Sequence, residues 1–96
     1  MGHEVDTEKL VLRIVSSLVD DLQRVSVKSI TTETTSIFEV TVAPTDVGKV
    51  VGKQGRNASA IRELLSAIGS TAKKRYGLDV VTTGRGPSAR RGSQDD

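Results

Sequence analysis

One run in the middle of the chain limits most what it can fold into: Val50-Val51-Gly52-Lys53-Gln54-Gly55-Arg56. Two glycines three positions apart interrupt any continuous helix, because glycine is a poor helix former and readily adopts positive φ. A short helix is predicted ahead of them over residues 46–51, with Thr45 as its N-cap. A longer helix is predicted to begin near Arg56 or Asn57. The run is therefore predicted to be a loop between two helices.

The helix after the loop is indicated by apolar residues that recur at intervals of three and four. They are Ala58, Ile61, Leu64, Leu65, Ile68 and Ala72. Lys73, Lys74 and Arg75 suit the last turn of a helix, and Gly77 suits the position just after it. The pattern predicts a helix that continues to about Arg75.

The first half of the chain opens with another amphipathic helix, predicted over residues 7–22 with Thr7 as N-cap. Its apolar face consists of Leu10, Val11, Ile14, Val15, Leu18, Val19 and Leu22. Its polar face mixes acidic and basic side chains, whereas helices that lie on membranes are rich in Lys and Arg there. The helix is therefore predicted to pack on a core and not on a membrane.

Three strands are predicted, over 25–30, 37–43 and 78–83, and the first two show alternating apolar and polar residues. The first two are joined by a short polar link, which favours an antiparallel pair. The third returns after the two helices, so it can lie parallel to the second. Residues 1–6 and the Arg/Gly/Ser-rich residues 84–96 lack apolar periodicity and are predicted to be a disordered lead and tail around one domain, 7–83.

The charge is distributed unevenly along the chain. Residues 1–46 carry four Lys/Arg against eight acids, whereas residues 47–94 carry ten Lys/Arg against two. A basic half joined to an acidic half favours a surface that binds a polyanion. Solvated surface charge is the plainer explanation of the same pattern.

Composition excludes several classes of function. There is no cysteine and only one histidine, His3 near the N-terminus, so metal sites and His- or Cys-based catalysis are not expected. No pair of carboxylates lies by the loop, so we predict no enzyme and no cofactor. The two aromatics, Phe38 and Tyr76, are too few for a sheet that stacks bases. With no apolar run long enough for a membrane span and no signal-peptide pattern, the chain is predicted to be soluble and cytoplasmic.

The chemistry of the loop points to phosphate. Glycines allow close approach of the backbone, and the helix that follows presents unpaired N–H groups and the positive end of its dipole. Lys49, Lys53 and Arg56 add full charges. A nucleotide-hydrolysing P-loop is excluded, because the run from Gly48 to Gln54 has one spacer residue too few and lacks the hydroxyl that binds magnesium.

The run, followed by Ile61, resembles the core motif of a KH domain, in which a Gly-x-x-Gly loop joins two helices and clamps about four nucleotides. The element order resembles the type II arrangement. Residues 42–56 are similar to small bacterial single-KH-domain RNA-binding proteins. The resemblance implies an α+β fold, with a three-stranded mixed sheet and three helices on one face.

The resemblance also implies a function: non-catalytic binding of single-stranded RNA, as an RNA chaperone or a post-transcriptional or ribosome-associated regulator. The implied RNA-binding residues are Lys49, Val50, Val51, Gly52, Lys53, Gln54, Gly55 and Arg56. Val50, Val51, Ile61 and Val81 are candidates for an apolar floor under the bases, and core packing is the alternative for each of them. The alternative function is a protein-interaction module that forms a homodimer or pairs with another KH-domain protein.

Overall fold

The computed structural model describes residues 6–82. The described helices and strands follow the predicted order of helix, two strands, two helices and strand. Their bounds are α1 (Thr7–Ser16), β1 (Ser26–Thr31), β2 (Thr35–Val42), α2 (Val47–Val51), α3 (Arg56–Ala72) and β3 (Arg75–Thr82). Short 3₁₀ turns lie at Leu22–Arg24, Pro44–Asp46 and Lys53–Gly55.

The three strands form one mixed sheet in the order β1-β2-β3. β1 and β2 are antiparallel, with Val27 opposite Val40, and β2 and β3 are parallel, with Val40 opposite Val80. This confirms the predicted pairing. This mixed sheet is also the arrangement expected of a type II KH fold. The two helices between β2 and β3 provide the crossover connection that parallel strands need.

The helices cover one face of this sheet. Alternate residues of β2 are buried, which is the pattern of a strand with one face on a core. The core cluster consists of Val11, Val15, Val19, Phe38, Val40, Val42, Val50, Ala58, Ile61, Leu65 and Leu78. The core therefore joins the sheet to side chains of α1, α2 and α3, and so fixes both helices that flank the loop.

α1 is shorter than its apolar pattern predicts, because it ends at Ser16 and not at residue 22. Its N-cap is Asp6, whose carboxylate accepts a hydrogen bond from the N–H of Lys9 at 3.2 Å, and not Thr7. At the other end the chain leaves the helix, and the N–H groups of Asp20 and Asp21 donate to the Asp46 carboxylate at 3.2 and 3.0 Å. The carboxylate of the distant Asp46 thus accepts the hydrogen bonds that backbone carbonyls would accept if the helix continued.

The Asp46 carboxylate ties two segments of the chain together, residues 20–21 and the start of α2. It lies just before α2, is 1 % exposed, and is 3.5 Å from Lys49 Nζ in addition to its two backbone donors. The N–H of Asp21 is the main cause of a lowered pKa of Asp46, with contributions from the N–H of Asp20 and from Lys49, while burial opposes the shift. Asp46 is also the N-cap position of α2 in place of the predicted Thr45, but its side chain makes no capping bond there.

α3 also ends earlier than predicted, at Ala72, because Lys73 adopts a left-handed conformation with φ 62°. The N–H groups of Lys73 and Lys74 donate to the carbonyls of Ser70 and Gly69, which is a Schellman-type ending. Gly69 permits this close turn, since a Cβ there would lie 2.6 Å from the Lys74 carbonyl oxygen. Gly77, predicted to follow the helix, lies within β3 instead, which begins at Arg75.

The predicted disordered lead and tail, residues 1–6 and 84–96, lie outside the described residues apart from Asp6. Among residues 6–82, no helix is both long and apolar enough to cross a membrane.

We predict that Asp46→Asn lowers the midpoint of thermal unfolding by several degrees at pH 7. An amide NH₂ would confront one of the two backbone donors, and buried polar groups without partners are destabilising. Because the pKa of Asp46 is lowered in the folded state, its stabilisation is complete above its ordinary pKa of 3.8 and is lost as the pH falls below that value. The difference between wild type and variant should therefore be constant at neutral pH and shrink in acid.

Asp20→Asn is the matched control, because Asp20 is the other carboxylate beside Lys49, at 3.3 Å, and its side chain is 84 % exposed. Exposed ion pairs contribute little to stability, so this variant should melt close to the wild type. Equal losses in the two variants, or a loss in Asp46→Asn that persists unchanged in acid, would contradict the anchoring role of Asp46.

Candidate nucleic-acid interface

The predicted loop joins α2 to α3 through one tight turn. Gly52 ends α2 with φ 82° and ψ 170°, and Gly55 precedes α3 in the left-handed region with φ 75° and ψ 13°. Gln54 between them is also left-handed, with φ 56° and ψ 28°. Such a conformation is uncommon for a residue other than glycine and costs about 1 kcal/mol or more, so the turn is held by its surroundings.

Gly52 and Gly55 are needed for different reasons. A Cβ at Gly52 would lie 2.7 Å from Asn57 Cγ and 2.8 Å from Asn57 N, so the packing against α3 excludes a side chain. A Cβ at Gly55 would meet nothing within 4 Å. The space over Gly55 is open, so another molecule can approach the backbone there.

Asn57 clamps the two helices on either side of the loop. Its Nδ2 donates a hydrogen bond of 2.9 Å to the backbone carbonyl of Lys49 in the last turn of α2. The carbonyls of a helix C-terminus lack partners within the helix, and Asn57 satisfies one of them. This bond and the contact with Gly52 fix the angle between α2 and α3.

The loop presents both charge and hydrogen-bond donors to solvent. Lys53, Gln54 and Arg56 are exposed, and no ion pair within residues 6–82 involves Lys53 or Arg56. Gly55 provides no side chain that could cap α3, so the first N–H groups of this 17-residue helix lack a side-chain cap at the loop. The Arg56 N–H donates to the Lys53 carbonyl within the 3₁₀ turn, so the loop offers an anion the positive end of the helix dipole and its exposed cations.

Lys49 is placed differently from the other predicted cations. Its Nζ lies 3.3 Å from Asp20 and 3.5 Å from Asp46. The hydrogen bond to Asp20 is the main cause of a raised pKa of Lys49, and Asp46 adds to the shift. Two carboxylates thus balance its charge, and Lys49 serves the scaffold under the loop more than the surface above it.

The structure distinguishes among the four apolar candidates. Val50 is 0 % exposed and Ile61 3 %, and both belong to the core, so their side chains do not face a ligand. Val51 is half-buried at the end of α2. Val81 pairs with Thr41 on the face of the sheet opposite the core. Its neighbour Val80 points the other way and packs against the core. Core packing is therefore the correct alternative for Val50 and Ile61 but not for Val81.

Neither aromatic side chain is available as a platform for bases. Phe38 is 4 % exposed, and Tyr76 packs against its ring edge to face, with ring centroids 5.3 Å apart. Any base contact at this surface must come from aliphatic groups and hydrogen bonds, as the composition predicts.

Two residues that shape the site were not assigned these roles from the sequence. Asp46 was predicted only as the start of a helix, and nothing in the sequence signals its distant partners Asp20 and Asp21. Asn57 was predicted only as a possible helix start. A polar residue directly after Gly-x-x-Gly-Arg is a signal for its role, since it can reach back to the preceding helix.

Comparison with known proteins gives consistent matches. The family model described as KhpA/KhpB, KH domain, matches residues 8–80. The RNA-binding protein KhpA of Listeria monocytogenes is 40 % identical over 74 residues, which cover 77 % of this chain and 97 % of the relative. Its counterpart from Clostridium acetobutylicum is 42 % identical over 74 residues, covering 77 % and 99 %. The Aquifex aeolicus protein of the same name is 45 % identical over 64 residues, covering 67 % and 81 %.

No solved structure gives a significant match. The matched range nevertheless includes all or most of every described helix and strand, together with the Gly-x-x-Gly loop and the two helices that it joins. The chain therefore belongs to the KhpA/KhpB family of KH-domain proteins.

Proposed function

We propose that this chain binds single-stranded RNA by gripping the backbone with the loop Gly52-Lys53-Gln54-Gly55. The observation that carries the proposal is the open space over Gly55, directly before an α3 N-terminus that no side chain caps, with exposed Lys53 and Arg56 beside it. Phosphate fits this combination of a helix N-terminus without a side-chain cap and exposed cations. The relatives compared above are named RNA-binding proteins, which supports the choice of RNA. Family membership confirms that the role is not catalytic.

The residues of the loop have separate roles in this proposal. Gly55 admits the sugar-phosphate backbone, and Lys53, Gln54 and Arg56 contact phosphate and sugar. Gly52 lets Asn57 hold the loop in place before RNA arrives. Val51 is the apolar residue of the run that remains partly accessible to a base.

Binding of this kind reads the backbone more than the sequence, because phosphate contacts carry no sequence information. It suits a protein that acts on many RNAs, such as an RNA chaperone or a post-transcriptional or ribosome-associated regulator.

We predict that Lys53→Asp/Gln54→Asp abolishes binding of fluorescently labelled single-stranded RNA in anisotropy titrations, while the circular dichroism spectrum stays unchanged. For the wild type, log K should fall with log[salt] with a slope of about −2 to −3 if three or four phosphates are neutralised. Lys9→Asp/Gln23→Asp is the control, since it makes the same changes at exposed positions away from the loop. If the folded loop variant keeps wild-type affinity, the proposed function is wrong.

We predict that the two glycines respond differently to alanine. Gly52→Ala should lower the free energy of unfolding by about 2 kcal/mol or more, because it combines positive φ with displacement of Asn57. Gly55→Ala should cost about 1 kcal/mol, the strain of positive φ alone, but should weaken RNA binding by placing a methyl group in the open space. Urea unfolding and anisotropy titrations of both variants test this prediction. Equal destabilisation of the two variants would contradict the separate roles.

A second candidate function is pairing with a second copy or with another KH-domain chain. It is favoured by Leu64, which lies on α3 and is 53 % exposed. Ala60 and Ala67 lie on the same side of the helix by their spacing, and both are exposed. The matching family model covers both KhpA and KhpB, so a second KH-domain chain is a reasonable partner. The buried Val50 cannot contribute to such an interface.

We predict that the wild type shows a dimer in light scattering at high protein concentration and that Leu64→Glu shifts it to monomer. Leu22→Glu is the matched control, because Leu22 is 61 % exposed in a turn outside α3. A strictly monomeric wild type would count against self-association. Dissociation by both variants alike would show that α3 is not the interface.

A further inference from the structure

Exposed residues of α3 form two flanks with different chemistry. The core stripe of the helix is Ala58, Ile61, Leu65 and Gly69. One exposed flank is Ala60, Leu64, Ala67 and Thr71, which is mostly apolar. The other exposed flank is Ser59, Arg62, Ser66 and Ser70, and Lys73 continues its spacing at the helix end. We refer to these last five residues as the serine flank. One exposed acid, Glu63, lies at the edge of this flank, four residues after Ser59 and three before Ser66.

The cations of the serine flank are not used by the fold. Arg24, Lys28 and Lys49 each lie within 4 Å of a carboxylate. By contrast, no ion pair within residues 6–82 involves Arg62, Lys73 or Arg75, and all three are exposed. Residues 47–82, which include the loop and α3, carry seven Lys/Arg against two acids, so this part of the chain has a net positive charge.

The basic end of the flank is held in a fixed position. Lys73 turns the chain with φ 62°, and the Arg75 N–H donates to the Thr34 carbonyl at 2.9 Å. Lys74 Nζ donates to the Thr32 carbonyl at 3.2 Å. These bonds attach the end of α3 to the turn between β1 and β2, while the side chains of Lys73 and Arg75 remain in solvent.

The serine flank begins beside the loop and runs the length of the helix. A helix of 17 residues is about 26 Å long. A KH loop clamps about four nucleotides, so a longer strand must leave the loop and pass over another surface. Arg, Lys and Ser side chains are among the groups that contact phosphates without regard to sequence.

We propose that the serine flank is a second binding surface for the RNA backbone, which continues the loop and contacts the phosphates of strands longer than the loop can hold. The inference rests on the proposed function of the loop. It makes affinity depend on RNA length, with Arg62 and Lys73 as the residues responsible and with no preference for particular bases.

The test compares labelled single-stranded RNAs of five and fifteen nucleotides binding to the wild type and to Arg62→Gln/Lys73→Asn. Asparagine tolerates the left-handed backbone at position 73. For the fifteen-nucleotide RNA, the loss of two neutralised phosphates should reduce affinity about tenfold at 150 mM salt and make the salt slope less negative by about 1.4. Affinity for the five-nucleotide RNA should change by less than about twofold, because that strand fills only the loop.

Lys9→Gln/Arg13→Gln is the control, since it removes the same charge from exposed positions of α1. It should leave both affinities close to wild type. Three results would each overturn the proposal: an equal loss of affinity for short and long RNA, the same loss in the control, or wild-type affinity in the test variant. The last two would leave the flank as solvated or protein-binding surface. Failure of the loop itself is recognised separately, because the wild type would then not bind the five-nucleotide RNA, which fills only the loop.

Discussion

The position of the loop depends on the buried carboxylate of Asp46. It accepts hydrogen bonds from two successive N–H groups, those of Asp20 and Asp21, and it faces the ammonium of Lys49. A buried carboxylate is costly unless it is paired in this way, so the two segments that meet at Asp46 hold each other in place. One segment follows α1 and the other begins α2. The start of α2, and with it the loop, is thereby fixed to the scaffold that carries the core.

A second constraint sets the shape of the loop itself. Asn57 holds the Lys49 carbonyl and occupies the space beside Gly52, so α2 and α3 meet at a fixed angle. The strained backbone at Gln54 is then the consequence of two helices that cannot move apart. A loop that is already in its binding conformation loses less entropy when a ligand binds. The two glycines thus have different roles. Gly52 allows the turn to pack against Asn57, and Gly55 leaves the backbone accessible to another molecule.

The sequence was sufficient to predict the order of elements, the strand pairing and the loop between two helices. Periodicity and turn residues carry that information locally. It was not sufficient for the end of α1, which depends on contacts with the distant Asp46, or for the end of α3, where Lys73 takes a left-handed conformation that is uncommon for a residue other than glycine. The helical pattern continues through Leu18, Val19 and Leu22. The helix does not, because the N–H groups of Asp20 and Asp21 donate to the Asp46 carboxylate. The position of Val81 also required the structure. Its register opposite Thr41 places it on the face of the sheet away from the core.

The absence of stacking aromatics decides where affinity at this surface can come from. Each base stacked on an aromatic side chain contributes about 1–3 kcal/mol in proteins that bind single strands in that way, and Phe38 and Tyr76 are packed against each other. Under the proposed function, phosphate contacts therefore supply most of the affinity, and one short loop reaches only a few of them. The chain can add contacts along α3, or it can pair with a second KH domain and bind one strand at two loops. The two exposed flanks of α3 differ in the way that these two solutions require, since one is cationic and rich in serine and the other carries Leu64 among alanines. Both solutions can therefore operate in one molecule.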